Sequence, residues 1–220
     1  MFKQLLSLLS KDDLISQAYD DMQTMLQKSQ TLYYEAVASL TENREASFDI
    51  YKLDKEINSY EKKIRRKVLE HLSVNPQQDI MSSLVLTSIV ISIERIGDYS
   101  KNIYEVLGFF KKGEVLTIHE TLVSTQKTIS GSFPTIADAL HTGDIESAQK
   151  LIVTLDPLRK ILDSYIYNDA VNNPVKDTRV VITNVLYSRY LKRVAAHLEN
   201  IATSIVNPFH KIGFFEEQDL

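Results

Sequence analysis

The 220-residue sequence contains no cysteine. Disulfides, thiol nucleophiles and cysteine-ligated zinc are therefore excluded together, and a reducing compartment suits the chain. Glycine and proline are scarce, at six and five, which disfavours loop-rich and all-β architectures and favours long helices. There is no large excess of positive charge either: 25 Lys and Arg stand against 29 Asp and Glu, so nonspecific nucleic-acid binding is not expected. The longest apolar run, 83–93, is interrupted by Ser and Thr and ends at Glu94-Arg95. It predicts no transmembrane segment, and the N-terminal residues lack the pattern of a signal peptide. A soluble, cytoplasmic protein is the expectation. G-x-S-x-G, P-loop, dinucleotide and H-E-x-x-H patterns are absent.

What is present is helical periodicity, with 44% hydrophobic residues to build a core. Turn signals predict six helices, over about 10–41, 44–72, 78–110, 115–140, 143–172 and 177–206. Ser10 with Asp13 reads as a capped start, Asn75-Pro76 and Asn173-Pro174 as stops, and Gly131 with Pro134 as a break in the fourth helix. Segments this long with short links imply antiparallel neighbours in an elongated bundle. The halves also echo one another. Leu86, Ile89, Ile93, Ile96, Ser100, Ile103 and Leu107 have the same alternating spacing as Asn184, Tyr187, Leu191, Val194, Leu198, Ile201 and Ile205. Leu53-Asp54 matches Leu155-Asp156, Glu61 matches Asp163, and Asn102-Ile103 matches Asn200-Ile201. The expected fold is all-α: six long helices as two tandem three-helix bundles, over residues 1–112 and 113–220.

Glu94, Asp98 and Asn102 recur every four residues and so share one edge of the third helix. At about 100° per residue that edge lies roughly opposite the apolar stripe. Two carboxylates at this spacing repel by about 0.2–0.5 kcal/mol, so something must compensate. Solvent with Arg95 or Lys101 would suffice; a hard or transition-metal cation held by oxygens from two helices is the alternative. Asp54, Asn58 and Glu61 flank the apolar stripe of the second helix and could supply the second edge.

The segment Ile93-Glu94-Arg95-Ile96-Gly97-Asp98-Tyr99-Ser100-Lys101-Asn102-Ile103 resembles the signature of the PhoU family of phosphate-uptake regulators, and the six-helix repeat layout fits nearly the whole chain. The resemblance implies a non-catalytic regulator of phosphate uptake and signalling. It further implies two three-helix bundles and metal at Glu94, Asp98 and Asn102, with Asp54 and Glu61 from the preceding helix. The metal would be iron, zinc, manganese or magnesium. The implied partners are phosphate transporter components or a sensor histidine kinase, with a homodimer and a peripheral membrane contact also expected. A metal-free helical adaptor for another transporter and a carboxylate-bridged di-metal oxidase are the alternatives. The oxidase requires paired E-x-x-H motifs, which are missing.

The second half departs from the pattern. Lys192 stands where Glu94 does, Ala196 where Asp98 does, and His197 where Tyr99 does, while Asn200 is retained. A second site of the same kind is therefore expected to be absent or altered, and Asp156, preceding Pro157, reads as a cap or kink residue. Within the basic run 61–67, Arg65 and Arg66 are the expected anion or partner contacts, because guanidinium forks match such oxygens. The five histidines read as surface or helix-end residues, and the tail 208–220, with Phe209, Ile212, Phe214 and Phe215 ahead of its acidic residues, as a segment docked on a bundle.

Overall fold

A computed structural model describes residue 2 and residues 14–74, 79–172 and 177–214. Among the described residues there are six long α-helices and no strand: α1 Leu14–Glu42, α2 Ile50–Val74, α3 Ile80–Glu105, α4 Glu120–Thr142, α5 Ile145–Ser164 and α6 Thr178–Val206. A 3-10 turn, Val106–Phe109, extends α3, a π-helical segment, Tyr165–Ala170, extends α5, and a second 3-10 turn, Phe209–Lys211, follows α6. The expected cap at Ser10 and Asp13 and the two Asn-Pro stops lie outside the described residues.

α1, α2 and α3 pack on one another, as do α4, α5 and α6, and the two groups meet along α3 and α6. Both predicted stripes face the core. Leu86, Ile89, Ile93, Ile96, Ser100 and Ile103 are buried on α3, and so are Asn184, Tyr187, Leu191, Val194, Leu198, Ile201 and Ile205 on α6. Side chains at alternating three- and four-residue spacing form one face of an α-helix, and removing that face from water is the main drive to assemble the bundle. At the α3–α6 junction Tyr99 stacks against Tyr190 and His197, with centroids 6.4 and 5.9 Å apart.

Three features differ from the sequence expectation, the second and third for a nonlocal reason. α2 starts at Ile50 rather than near residue 44. Arg44 is held by Glu35 and Glu42 in the preceding loop, and Asp49 accepts a bond from the Lys52 amide at the helix start. α4 starts at Glu120 because the segment before it is tied to α6: the buried Asn184 accepts from the His119 amide at 2.8 Å and donates to the Thr117 carbonyl at 2.9 Å. Pro134 does not break α4. Proline removes the N–H that would serve the carbonyl of residue 130. The Tyr34 hydroxyl of α1 donates to the Ser130 carbonyl instead, at 2.9 Å. In α5 and α6 local rules hold, with Asp144 and Asp177 accepting amide bonds as N-caps.

The tail docks as expected over its described part. The Gly213 amide donates to Thr203 Oγ1, and Asn207 donates to the carbonyls of Lys211 and Phe214. Residues 215–220 lie outside the described residues. The prediction of no span-length helix is corrected, because residues 80–109 form one long and apolar enough, by length and composition, to cross a membrane. In this fold 56% of its most apolar window is buried against other helices, as in the core helix of a bundle.

Candidate metal site at the α2–α3 seam

The E-x-x-x-D edge of α3 does not face away from the core, as helical geometry alone suggests. It lines the seam with α2. Gly97 explains the approach: a Cβ there would sit 3.3 Å from Ile57 Cδ1, closer than most side-chain contacts, so a glycine lets α2 pack closely over this turn. The consequence is electrostatic. Burial raises the Glu94 carboxyl above its usual value, and the nearby charges of Asp98, Glu61 and Asp54 push it in the same direction, with Arg95 opposing. All four carboxylates therefore act on one locality.

Protein cations partly neutralise it. Arg95 lies 3.4 Å from Glu94 and 3.0 Å from Asp98. Lys101 crosses the seam, 2.9 Å from Asp54 on α2 and 3.4 Å from Asp98 on α3. Burial opposes the charge on Lys101, and its bond to Asp54 together with the charges of Asp54 and Asp98 overcomes this, holding the ammonium above its ordinary value. Glu61 pairs with Arg65 one turn along α2, at 2.8 Å. Among the described residues no three His, Asp or Glu side chains gather closely enough to enclose a metal.

The donor set nevertheless fits a hard cation. Asp54 Oδ1 and Asn58 Oδ1 are buried at the seam without a hydrogen-bond partner. A carboxylate oxygen and an amide oxygen left bare in this way are costly, and both are hard-cation ligands. Glu94 adds a carboxylate short of positive charge, while Asp98 and Asn102 continue the same edge as half-buried residues. A bound divalent ion would supply charge neutralisation here. Lys101 competes for the same oxygens.

The structure separates the two arginines expected to bind anions. Arg65 is engaged by Glu61, whereas Arg66 is exposed and makes no ion pair among the described residues. Lys63 and Lys67 both reach Asp21 of α1 at 2.7 Å.

The equivalent seam in the second group, between α5 and α6, is bridged by protein cations, with Glu199 Oε2 left buried and without a partner. Lys192 pairs with Asp163, and Arg159 bridges Asp156 and the almost fully buried Glu199. Asp156 caps nothing, since α5 runs through it and Pro157. Burial pushes the Glu199 carboxyl up to about 7, Asp156 adding to the effect and Arg159 opposing it.

The histidine reading holds for His71 and His119, which sit at helix ends, and fails for His197, which lies within α6. His71 ends α2 but is buried, 3.3 Å from Asp79. His119 is the N-cap of α4 and rests 4.9 Å from the Tyr165 ring. His197 is held neutral at the α3–α6 junction, its pKa pushed down to about 4 by burial and by Arg193 and Arg95.

The segment that carries this seam is also the segment recognised by family comparison: residues 21–107 match the PhoU domain. The chain is PhoU-like. Over 87 residues it is 30% identical to the phosphate-specific transport system accessory protein PhoU homolog 2 of Thermotoga maritima. That match takes in 39% of this chain and spans 37% of the relative's length. In fold the likeness extends further. The crystal structure of the phosphate transport system regulatory protein PhoU from Streptococcus pneumoniae superposes with a TM-score of 0.75 at 15% identity, covering 93% of this chain and 95% of that one. PhoU from Pseudomonas aeruginosa gives 0.66 at 16% identity, covering 93% and 97%. The PhoU fold therefore extends over nearly the whole chain, whereas sequence likeness to PhoU is concentrated in α1–α3.

Proposed function

We propose that this chain is a non-catalytic, cytoplasmic regulator of phosphate uptake that binds a divalent or transition metal at the α2–α3 seam and acts through protein partners. The observation that carries the reading is the coincidence, within the PhoU-matching segment, of four interacting carboxylates with two buried oxygens that lack partners. Glu94, Asp98, Asp54 and Asn102 are the assigned ligands. Glu61 joins them if Arg65 swings away. Asn58, which the sequence places on the same edge as Asp54 and Glu61, is added because its buried oxygen faces the same problem as Asp54. Carboxylate and amide donors suit magnesium, manganese, iron or zinc.

The partners assigned on the same resemblance are components of a phosphate transporter or its sensor kinase, with the chain as a homodimer and 1–112 and 113–220 as its two repeats. Elemental analysis of protein purified without chelators is the test, with wild type set against Glu94→Ala/Asp98→Ala. Wild type should carry metal that the double variant loses. Metal-free wild type, or a variant that keeps its full complement, overturns the site and leaves the metal-free adaptor reading. Pull-downs from phosphate-starved and phosphate-fed cells then ask whether partner retention follows phosphate supply.

A further inference from the structure

We propose that the outer face of α2 is a docking surface for an anionic lipid bilayer. Lys52, Lys55, Lys62 and Arg66 fall within an arc of roughly 80° on this helix and extend along about 21 Å of its axis. All four are exposed. Their basic neighbours are already engaged, Lys63 and Lys67 by Asp21 and Arg65 by Glu61, but these four make no ion pair among the described residues. Lys52 acts only at a distance on Glu56, whose direct partner is Lys28. The exposed acids near the stripe are Asp49, three residues before Lys52, and Glu70, one turn beyond Arg66. A local excess of uncommitted cations on a chain of net charge −4 favours a negatively charged partner at this face.

Two further features favour a lipid surface. Exposed apolar side chains bracket the stripe, with Tyr51 at one end and Leu69 (66% exposed) and Val74 (76%) at the other; Ile80 and Met81 follow at the start of α3. Cations flanked by an aromatic and by aliphatic side chains are the elements of interfacial binding, in which charge attracts and apolar groups enter the headgroup boundary. Beside the stripe lies an open cleft of about 410 Å³ lined by Lys62, Lys63, Arg66 and Lys67 with Ser59 and Glu70, which suits a phosphate headgroup. This surface refines the membrane-side reading of the regulator, but it shares no residue with the metal seam. Loss of metal and loss of lipid binding are thus separable results.

The test is co-sedimentation of the full chain with phosphatidylcholine vesicles and with vesicles containing phosphatidylglycerol, at low and high salt, with inorganic phosphate as competitor. Wild type should bind the anionic vesicles alone, and high salt should release it. At about 1 kcal/mol, or fivefold, for each basic residue near an anionic surface, Lys62→Gln/Arg66→Gln should weaken partitioning about 30-fold. Lys127→Gln/Lys160→Gln changes net charge equally at exposed sites elsewhere and should stay within about threefold of wild type. Single Lys62→Gln, expected to lose about fivefold, keeps the test open should the double variant fail to fold. Equal binding to both vesicle types, an equal loss in the two double variants, or retention on transporter without any binding to anionic vesicles overturns the proposal. Competition by millimolar inorganic phosphate in place of salt does the same, because it assigns the cleft to the free ion.

Discussion

Replacing Lys101 by methionine tests whether the seam is built to hold a positive charge. In the metal-free protein Lys101 is the cation that spans α2 and α3, and Asp54, its closer partner, is nearly buried. Methionine keeps most of the volume and removes the charge. Taking one member from a buried ion pair costs about 3–5 kcal/mol, because the remaining charge stays desolvated. The lysine itself is 22% exposed, so we expect a smaller loss, about 2–3 kcal/mol. For a chain of this size that lowers the melting temperature by roughly 5–10 °C. The deficit should shrink when metal is supplied. At a hundredfold excess over its dissociation constant a ligand adds about 2.7 kcal/mol, enough to restore the variant. Wild type should gain less from the same metal, because its lysine must first be displaced from Asp54 and Asp98. Thermal melts of both proteins in chelator and in manganese, followed by circular dichroism, provide the four numbers required. A chelated variant that melts within 1–2 °C of wild type, or equal manganese shifts in the two proteins, would refute the reasoning.

The second seam and the α4 entry give two further predictions. Glu199 is 2% exposed and its carboxyl is raised from 4.5 to about 7, so folding favours its protonated form. That contribution, about 3 kcal/mol at most, is complete below pH 4.5 and is lost as pH rises through 7. Urea unfolding at pH 5 and pH 8 should therefore show a larger fall for wild type than for Glu199→Gln, and identical falls would remove Glu199 as the cause. Asn184→Leu should cost about 2–4 kcal/mol, since it strips the buried bonds to the His119 amide and the Thr117 carbonyl. A melting temperature within a degree of wild type would contradict that assignment.

Helix number and the two core stripes were legible in the sequence because periodicity of apolar side chains is a local signal that tertiary packing reinforces. Helix ends were less so wherever a distant group decides them. Pro134 reads as a break until Tyr34, on another helix, is found serving the freed carbonyl, and the extended lead into α4 depends on Asn184, 65 residues away from His119. The candidate ligands were legible as residue types. Their direction was not: spacing placed the Glu94–Asp98 edge opposite the stripe, whereas α2, admitted by Gly97, covers that edge. Arg95 and Lys101 could be named as compensating charges from spacing alone, but the reach of Lys101 across to Asp54 could not, because it depends on the register between two helices. The distinction between Arg65 and Arg66 is similarly a matter of which neighbour is close enough.

The two seams show what a helical repeat can exchange without altering its fold. In the first, carboxylates outnumber the cations that face them, and oxygens of Asp54 and Asn58 remain bare. In the second, Lys192 replaces the glutamate and pairs with Asp163, while the position of Lys101 is taken by Glu199, which pairs with Arg159 across the same interface. At that position the polarity of the crossing pair is inverted, cation on α3 and anion on α2 becoming anion on α6 and cation on α5, while Lys192 and Asp163 keep the first polarity. Both arrangements leave the apolar stripes intact, so packing does not choose between them. The difference concerns the source of positive charge. In the second seam a lysine and an arginine fixed in the chain supply that charge and one oxygen, Glu199 Oε2, stays bare; in the first the bare oxygens are two, on Asp54 and Asn58, beside a Glu94 whose charged neighbours are mostly acidic. On the proposed reading the metal-responsive seam is the one in α1–α3, and α3 meets α6 beside it through the stacked Tyr99, Tyr190 and His197.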